Sequence, residues 1–441
     1  MSLTVRADRA LIRAAGGSTR HVLAQITAAE APSTIARPSV HVALVLDRSG
    51  SMGGEKILLA RQAAEHALRL LSPKDHFSLV VFDNDVDVLV GSTPASGEAR
   101  SHAMRELARI EARGSTNLEG GWAAGCEQVL TQLTGDGLGR CLLVTDGHAN
   151  VGERAPEQLS RLAAAMRGRG VATSTFGIGA DFDERTLQLM SEGGQGHFYY
   201  VAAPAAIPDL LTSELGDSLQ IVARDAALVV QAPEGVDVAL LGPYRVAAAE
   251  RVVRVELGDL TSGQELELVI RLRFGSGAEG DDRRVRFSLV PAEASPGDAG
   301  NMPELTWTFA AHARNDGQPR DRVVDRSAGR TYADLARQEA LALNRQGRYA
   351  DAQRVIEQVA AEVAAYAGTD PELLALVRRL RHEAEAYGSA MDVVQAKQRH
   401  FRAYSAIHSR AESGIARRRG EQEAHPTTTS VVVLLVFRAE R

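Results

Sequence analysis

Between residues 39 and 219 the chain alternates short apolar runs with amphipathic stretches. Residues 40–46 form an almost unbroken apolar run that stops at Asp47, 76–82 and 86–90 are further apolar strands, and 141–145, 171–178 and 197–201 read as strands too. Apolar runs of this length without alternation mark strands covered on both faces. Between them, 55–71 places Ile57, Leu58, Ala60, Ala64, Ala67, Leu68 and Leu71 at helical spacing. Residues 98–110, 118–133, 157–166, 184–190 and 205–219 read as further helices. Strands alternating with helices predict a mainly parallel, doubly wound α/β sheet.

The flanks have a different period. Residues 3–13 and 21–28 alternate apolar and polar positions around Gly16, Gly17 and Ser18, which predicts a hairpin. Period two returns at 227–231, 236–241, 251–257, 265–274, 283–289 and 304–310, with Gly, Pro and Asp clusters between the runs. A lone hairpin needs a sheet to pack on, so 1–38 and 220–311 are expected to form one antiparallel β-sandwich into which the α/β unit of 39–219 is inserted. Residues 312–331 are polar and charged and read as a linker. Residues 332–419 follow as an α-helical region, with helices at 332–345, 349–367, 371–386 and 391–413. A polar tail, 420–441, carries one possible strand at 431–437.

The 441 residues are enough for two to four domains. The net charge of −6 argues against a nucleic-acid partner, so no DNA is expected. Cys126 and Cys141 are too few for a disulfide framework and read as small buried apolar groups in a reducing compartment. No segment supplies the roughly 18 apolar residues of a membrane span, and residues 1–9 lack the apolar core of a signal peptide. A cytoplasmic location is the resulting expectation. Residues 378–419 carry ten Arg or Lys against four Asp or Glu, together with Phe401 and Tyr404. This reads as a solvated helix face or as a basic arm for an acidic partner.

Candidate chemistry collects at predicted strand ends. Asp47-Arg48-Ser49-Gly50-Ser51 follows the first strand, Gly114-Ser115-Thr116-Asn117 precedes a helix, and Asp146-Gly147 follows the strand at 141–145. Ligands of open α/β sheets sit at the carboxyl ends of the strands, so these three loops can converge. Together they offer two carboxylates, Asp47 and Asp146, and three hydroxyls, Ser49, Ser51 and Thr116. Such hard oxygen donors suit a small hard cation such as Mg2+ or Mn2+. Residues 50–56 do not make a phosphate loop, because Glu55 and Ile57 break its spacing. His148 lies two residues beyond Asp146 and reads as a rim or simply exposed residue.

This set resembles the von Willebrand factor type A (VWA) domain with its metal-ion-dependent adhesion site. The family pattern, Asp-x-Ser-x-Ser, then Thr, then Asp, is filled by Asp47, Ser49, Ser51, Thr116 and Asp146. The resemblance covers about residues 39–219 and is greatest to bacterial and inter-alpha-trypsin inhibitor heavy-chain-like members. It implies a Rossmann-like fold and a non-enzymatic adaptor or scaffold. The partner would be a protein supplying a Glu or Asp to the metal. Alternatives are a regulatory cofactor of an AAA+ ATPase in assembly or metal insertion, a metal-dependent hydrolase, and an extracellular adhesin.

Overall fold

The computed structural model describes residues 1–31, 37–135, 137–249, 251–290, 302–411 and 414–418. The tail 420–441, with its expected strand at 431–437, lies outside them. The central sheet has six strands in the order Val86–Pro94, His76–Phe82, Val40–Asp47, Leu138–Thr145, Val171–Ile178, Gln195–Val201. All neighbours pair in parallel except Val86–Pro94, which runs antiparallel to His76–Phe82. Val40–Asp47, Leu138–Thr145 and Val171–Ile178 are buried at every position, including Arg140 and the hydroxyls of Thr173, Ser174 and Thr175.

Helix Leu118–Gln132 lies unusually close to this sheet. A Cβ on Gly121 would stand 2.4 Å from the Phe82 ring, and one on Gly125 would stand 2.3 Å from Val45 Cγ2. Between them the buried Trp122 donates its indole N–H to Thr173 Oγ1 at 3.1 Å. Cys126 and Cys141 are buried and free.

Two further sheets lie outside this unit. One has the order Ser2–Ala7, Ser18–Thr27, Glu265–Phe274, Val236–Leu241. The other has the order Val246–Ala249, Val252–Thr261, Ile221–Gln231, Asp282–Val290, Glu304–Ala310, Leu11–Arg13. Ser18–Thr27 pairs with Glu265–Phe274 along its whole length. Val22, Ile26, Leu228, Ile270, Phe287 and Trp307, drawn from both sheets, share one apolar cluster. The stretch 3–13 is not one strand. It breaks at the buried Asp8, whose carboxylate accepts from His21 N–H at 3.0 Å, and Leu11–Arg13 crosses to pair in parallel with Glu304–Ala310.

Four helices follow, Arg322–Arg345, Tyr349–Ala367, Pro371–Tyr387 and Val393–Ile407. Residues 312–331 are not a plain linker. They hold the short helix His312–Asp316 and the first turns of Arg322–Arg345. Asp321 caps that helix by accepting from Val323 and Val324 N–H, and the buried Asp325 is paired with Arg320 at 2.6 Å. The charges that suggest a linker are therefore structural.

The basic C-terminal stretch is likewise turned partly inward. On helix Val393–Ile407, Phe401 and Tyr404 join the core of the α/β unit. Lys397 is buried and donates to the Phe182 carbonyl at 2.6 Å. Beyond it, Arg410 enters the junction between the α/β unit and the antiparallel sheets. Its guanidinium donates to Tyr199 Oη at 2.9 Å and to Asp217 Oδ2 at 3.4 Å, with His197 Nε2 at 2.7 Å. The buried Glu214 accepts from Ser174 Oγ and Tyr199 Oη, both at 2.6 Å, and lies 2.9 Å from His197 Nδ1. Burial alone would raise the Glu214 carboxyl, but His197, Arg410 and the Ser174 hydroxyl outweigh it and hold it well below the ordinary carboxylate range.

Two measurements check this packing. Gly121→Ala should lower stability by about 1–2 kcal/mol in urea unfolding, because the clash with Phe82 exceeds the helix-propensity gain of alanine. Glu214→Gln breaks a buried charged cluster and should cost about 3–5 kcal/mol at pH 7. The folded-state pKa of Glu214 is depressed, so its contribution is complete above the unfolded carboxyl pKa and shrinks as pH falls below it. The variant's melting temperature should accordingly fall less steeply than the wild type's between about pH 5 and pH 3.

Candidate metal centre

The central strand delivers Asp47, with no exposed surface, to the carboxyl edge of the sheet. Its Oδ1 accepts from Ser49 N–H at 2.7 Å and its Oδ2 accepts from Thr145 Oγ1 at 2.5 Å. Burial pushes the Asp47 carboxyl up to about 6; the hydrogen bonds from Thr145 and Ser49 oppose that shift, and the neighbouring Asp146 adds to it. The chain then turns through the short 3-10 helix Gly50–Met52. This turn brings Ser49 Oγ and Ser51 Oγ within 3.1 Å of each other. Ser51 Oγ donates to Asp146 Oδ1 at 2.7 Å, and Asp146 also has no exposed surface.

Thr116 arrives from a loop tied down on three sides. Arg113 N–H donates to the Arg48 carbonyl at 2.7 Å, Gly50 N–H to the Gly114 carbonyl at 3.1 Å, and Asn117 N–H to the Asp83 carbonyl at 2.8 Å. The side chains repeat the tie, since Arg48 and Arg113 both pair with Asp83, at 2.9 and 2.7 Å. Asn117 then caps helix Leu118–Gln132 by accepting from Gly120 N–H. Gly147 closes the ring of groups. A Cβ there would lie 3.0 Å from Thr116 Oγ1 and 3.7 Å from Ser51 Oγ, so only glycine leaves the space between these hydroxyls open.

All five residues singled out in the sequence therefore meet at one point. The carboxylates of Asp47 and Asp146 are buried, and the exposed Ser51 marks the solvent side. Among the described residues no group of three or more His, Cys, Asp or Glu is placed to hold a metal. The oxygens gathered here are three hydroxyls and two carboxylates, a set that would fit a hard divalent cation rather than a soft one. His148 is exposed.

Four contributors escaped the sequence reading. Thr145 fixes Asp47, Arg48 and Asp83 fix the Thr116 loop, and Lys56 reaches Asp146. Thr145, one residue before Asp146, and Lys56, one of three lysines in the chain, were the available signals.

Comparison with known proteins agrees with this architecture. The family description "von Willebrand factor type A domain" matches residues 41–213. The uncharacterized protein YfbK of Escherichia coli is 26% identical over 262 residues, covering 57% of this chain and 44% of YfbK. Inter-alpha-trypsin inhibitor heavy chain H1 of Mesocricetus auratus is 31% identical over 174 residues, covering 38% of this chain and 19% of the heavy chain. The match thus spans less than half of either relative. A von Willebrand factor type A structure from Catenulispora acidiphila superposes with a TM-score of 0.66 at 19% identity, over 91% of this chain and 89% of that one. The ArnB paralog VWA2 from Sulfolobus acidocaldarius gives 0.52 at 17% identity, over 88% and 99%. These two likenesses concern the fold alone. Sheet order, helix placement and family match together identify residues 41–213 as a von Willebrand factor type A domain.

Proposed function

We propose that this chain is a non-enzymatic binding protein whose A domain grips a protein partner through a divalent cation, magnesium or manganese. Domains of this type commonly mediate protein–protein interactions and commonly hold such a metal. Ser49, Ser51 and Thr116 would supply hydroxyl oxygens, with Asp47 and Asp146 as the carboxylate partners. A Glu or Asp of the partner would complete the shell. The observation that carries this reading is the hydrogen-bonded series from Asp47 through Ser49 and Ser51 to Asp146, with the Thr116 hydroxyl beside it across the space that Gly147 leaves open. Because the hydroxyls carry no charge, the two carboxylates no more than offset a bound dication, and its shell has room for an incoming acidic side chain.

The two antiparallel sheets are read as one β-sandwich interrupted by the A domain, which it presents together with the helical region. The free buried thiols of Cys126 and Cys141 support a reducing compartment, hence a cytoplasmic setting. Among the described residues no helix is long and apolar enough to cross a membrane.

Two experiments test the reading. Isothermal titration of Mn2+ into the metal-free full chain should show one site, weakened about tenfold or more by Thr116→Ala or Asp47→Ala, a loss typical of deleted metal-site groups. Circular dichroism should show the fold of both variants retained. Affinity capture from the native lysate should then retain a partner with magnesium, and lose it with chelator or with Asp146→Ala. A partner held equally in all three would move the binding surface to the sandwich or the helices.

A further inference from the structure

Lys56 stands within the candidate centre rather than beside it. It lies in the first turn of helix Glu55–Leu70, and its ammonium donates to Asp146 Oδ2 and, at 3.3 Å, to the Ser51 carbonyl. A Cβ on Gly179, just beyond strand Val171–Ile178, would lie 3.8 Å from both Cε and Nζ, so the lysine runs past a turn that has no side chain in its way. The Lys56 side chain is 25% exposed, whereas that of Asp146 is fully buried. One oxygen of Asp146 is thus held by the Ser51 hydroxyl and the other by a cation tethered to the same chain.

We propose that Lys56 is a resident counter-cation that competes with the metal for Asp146, lowering metal affinity while keeping the centre assembled without metal. The proposal rests on the metal-binding reading above and concerns how strongly that site holds its ion. Two physical effects act together. A buried carboxylate stripped of its counter-charge is costly, so Lys56 stabilises the metal-free arrangement. A divalent cation entering among the hydroxyls meets an ammonium already on the shared carboxylate, and like charges a few Å apart under partial burial oppose each other strongly. The formal charge of Asp47, Asp146 and Lys56 sums to −1. Binding a dication therefore leaves the centre positive, whereas without the lysine it would be neutral.

The test titrates Mn2+ into metal-free full-length wild type, Lys56→Met and Lys56→Arg, and records melting curves of each in chelator and in Mn2+. Lys56→Met should bind Mn2+ about tenfold more tightly than wild type, and Lys56→Arg, which keeps the charge, should stay within about threefold of it. Lys56→Met should melt below wild type in chelator, with the gap closing or reversing in Mn2+, because a ligand stabilises the folded state in proportion to its affinity. Lys56→Gln serves as a second neutral variant should Lys56→Met misfold. Equal or weaker Mn2+ binding by the neutral variants would overturn the proposal and leave Lys56 as a residue that merely orients Asp146. A wild type that takes up no Mn2+, or a Thr116→Ala variant that binds it equally well, would instead sink the metal reading itself and this proposal with it.

Discussion

A guanidinium that leaves water needs counter-charge and hydrogen bonds on all sides, or it destabilises the structure that buries it. Arg410 is 3% exposed. It finds counter-charge and hydrogen bonds on the A domain, from a segment whose preceding residue, Ser409, hydrogen-bonds Glu267 of the sheets. Asp217 and, through the shared Tyr199 hydroxyl, Glu214 come from the last A-domain helix, Ile207–Ser218. Arg418 adds a second contact to Asp217 at 2.6 Å. On the same side, Asp259 of the sheets pairs with Arg140 and Arg167 of the A domain, at 2.5 and 2.7 Å. The mutual orientation of domain and sheets is thereby fixed by directional ion pairs rather than by apolar contact alone.

The opposite edge of the same sheet is built on a different logic. There the buried carboxylates of Asp47 and Asp146 are held mainly by short-range hydroxyls, a backbone N–H and one lysine. Nothing bulky can stand at Gly147, and the Thr116 loop is tied to two strand ends. The result is a rigid set of small oxygen donors whose buried part faces the protein and whose open part faces solvent. The helical region reinforces the domain through Lys397, Phe401 and Tyr404.

Much of this was legible in the sequence for a plain reason. Strands buried on both faces are mostly apolar, so 40–46 stands out without help, whereas 171–178 carries Thr173, Ser174 and Thr175, each with a hydrogen-bond partner in the interior. The five candidate site residues stand out because the loops at strand ends position them and because their residue types are few. What stayed hidden depends on distant partners or on missing patterns. Val246–Ala249 is an exposed edge strand of a valine and three alanines, with no alternation to read. Asp8 ends a strand only because it turns inward to His21. The charges of 320–326 look like a linker until Asp325 is seen buried against Arg320. Lys397 and Arg410 look like a solvated face because their acceptors lie roughly two hundred residues earlier in the chain.

That separation has a consequence for how the molecule is made. The A domain's sheet and the helices on it come from one contiguous stretch of chain, but Phe401 and Tyr404 complete its core from far downstream. Domains generally fold as units while synthesis proceeds. Ser18–Thr27, by contrast, must wait for Glu265–Phe274 to leave the ribosome, and Glu214 and Asp217 must wait for Arg410. Through that interval an early strand has an unpaired edge and two carboxylates lack their cation. The nascent chain is thus most exposed to mispairing after the sheet of its A domain is made and before residues 393–411 arrive to complete the core and pair the carboxylates.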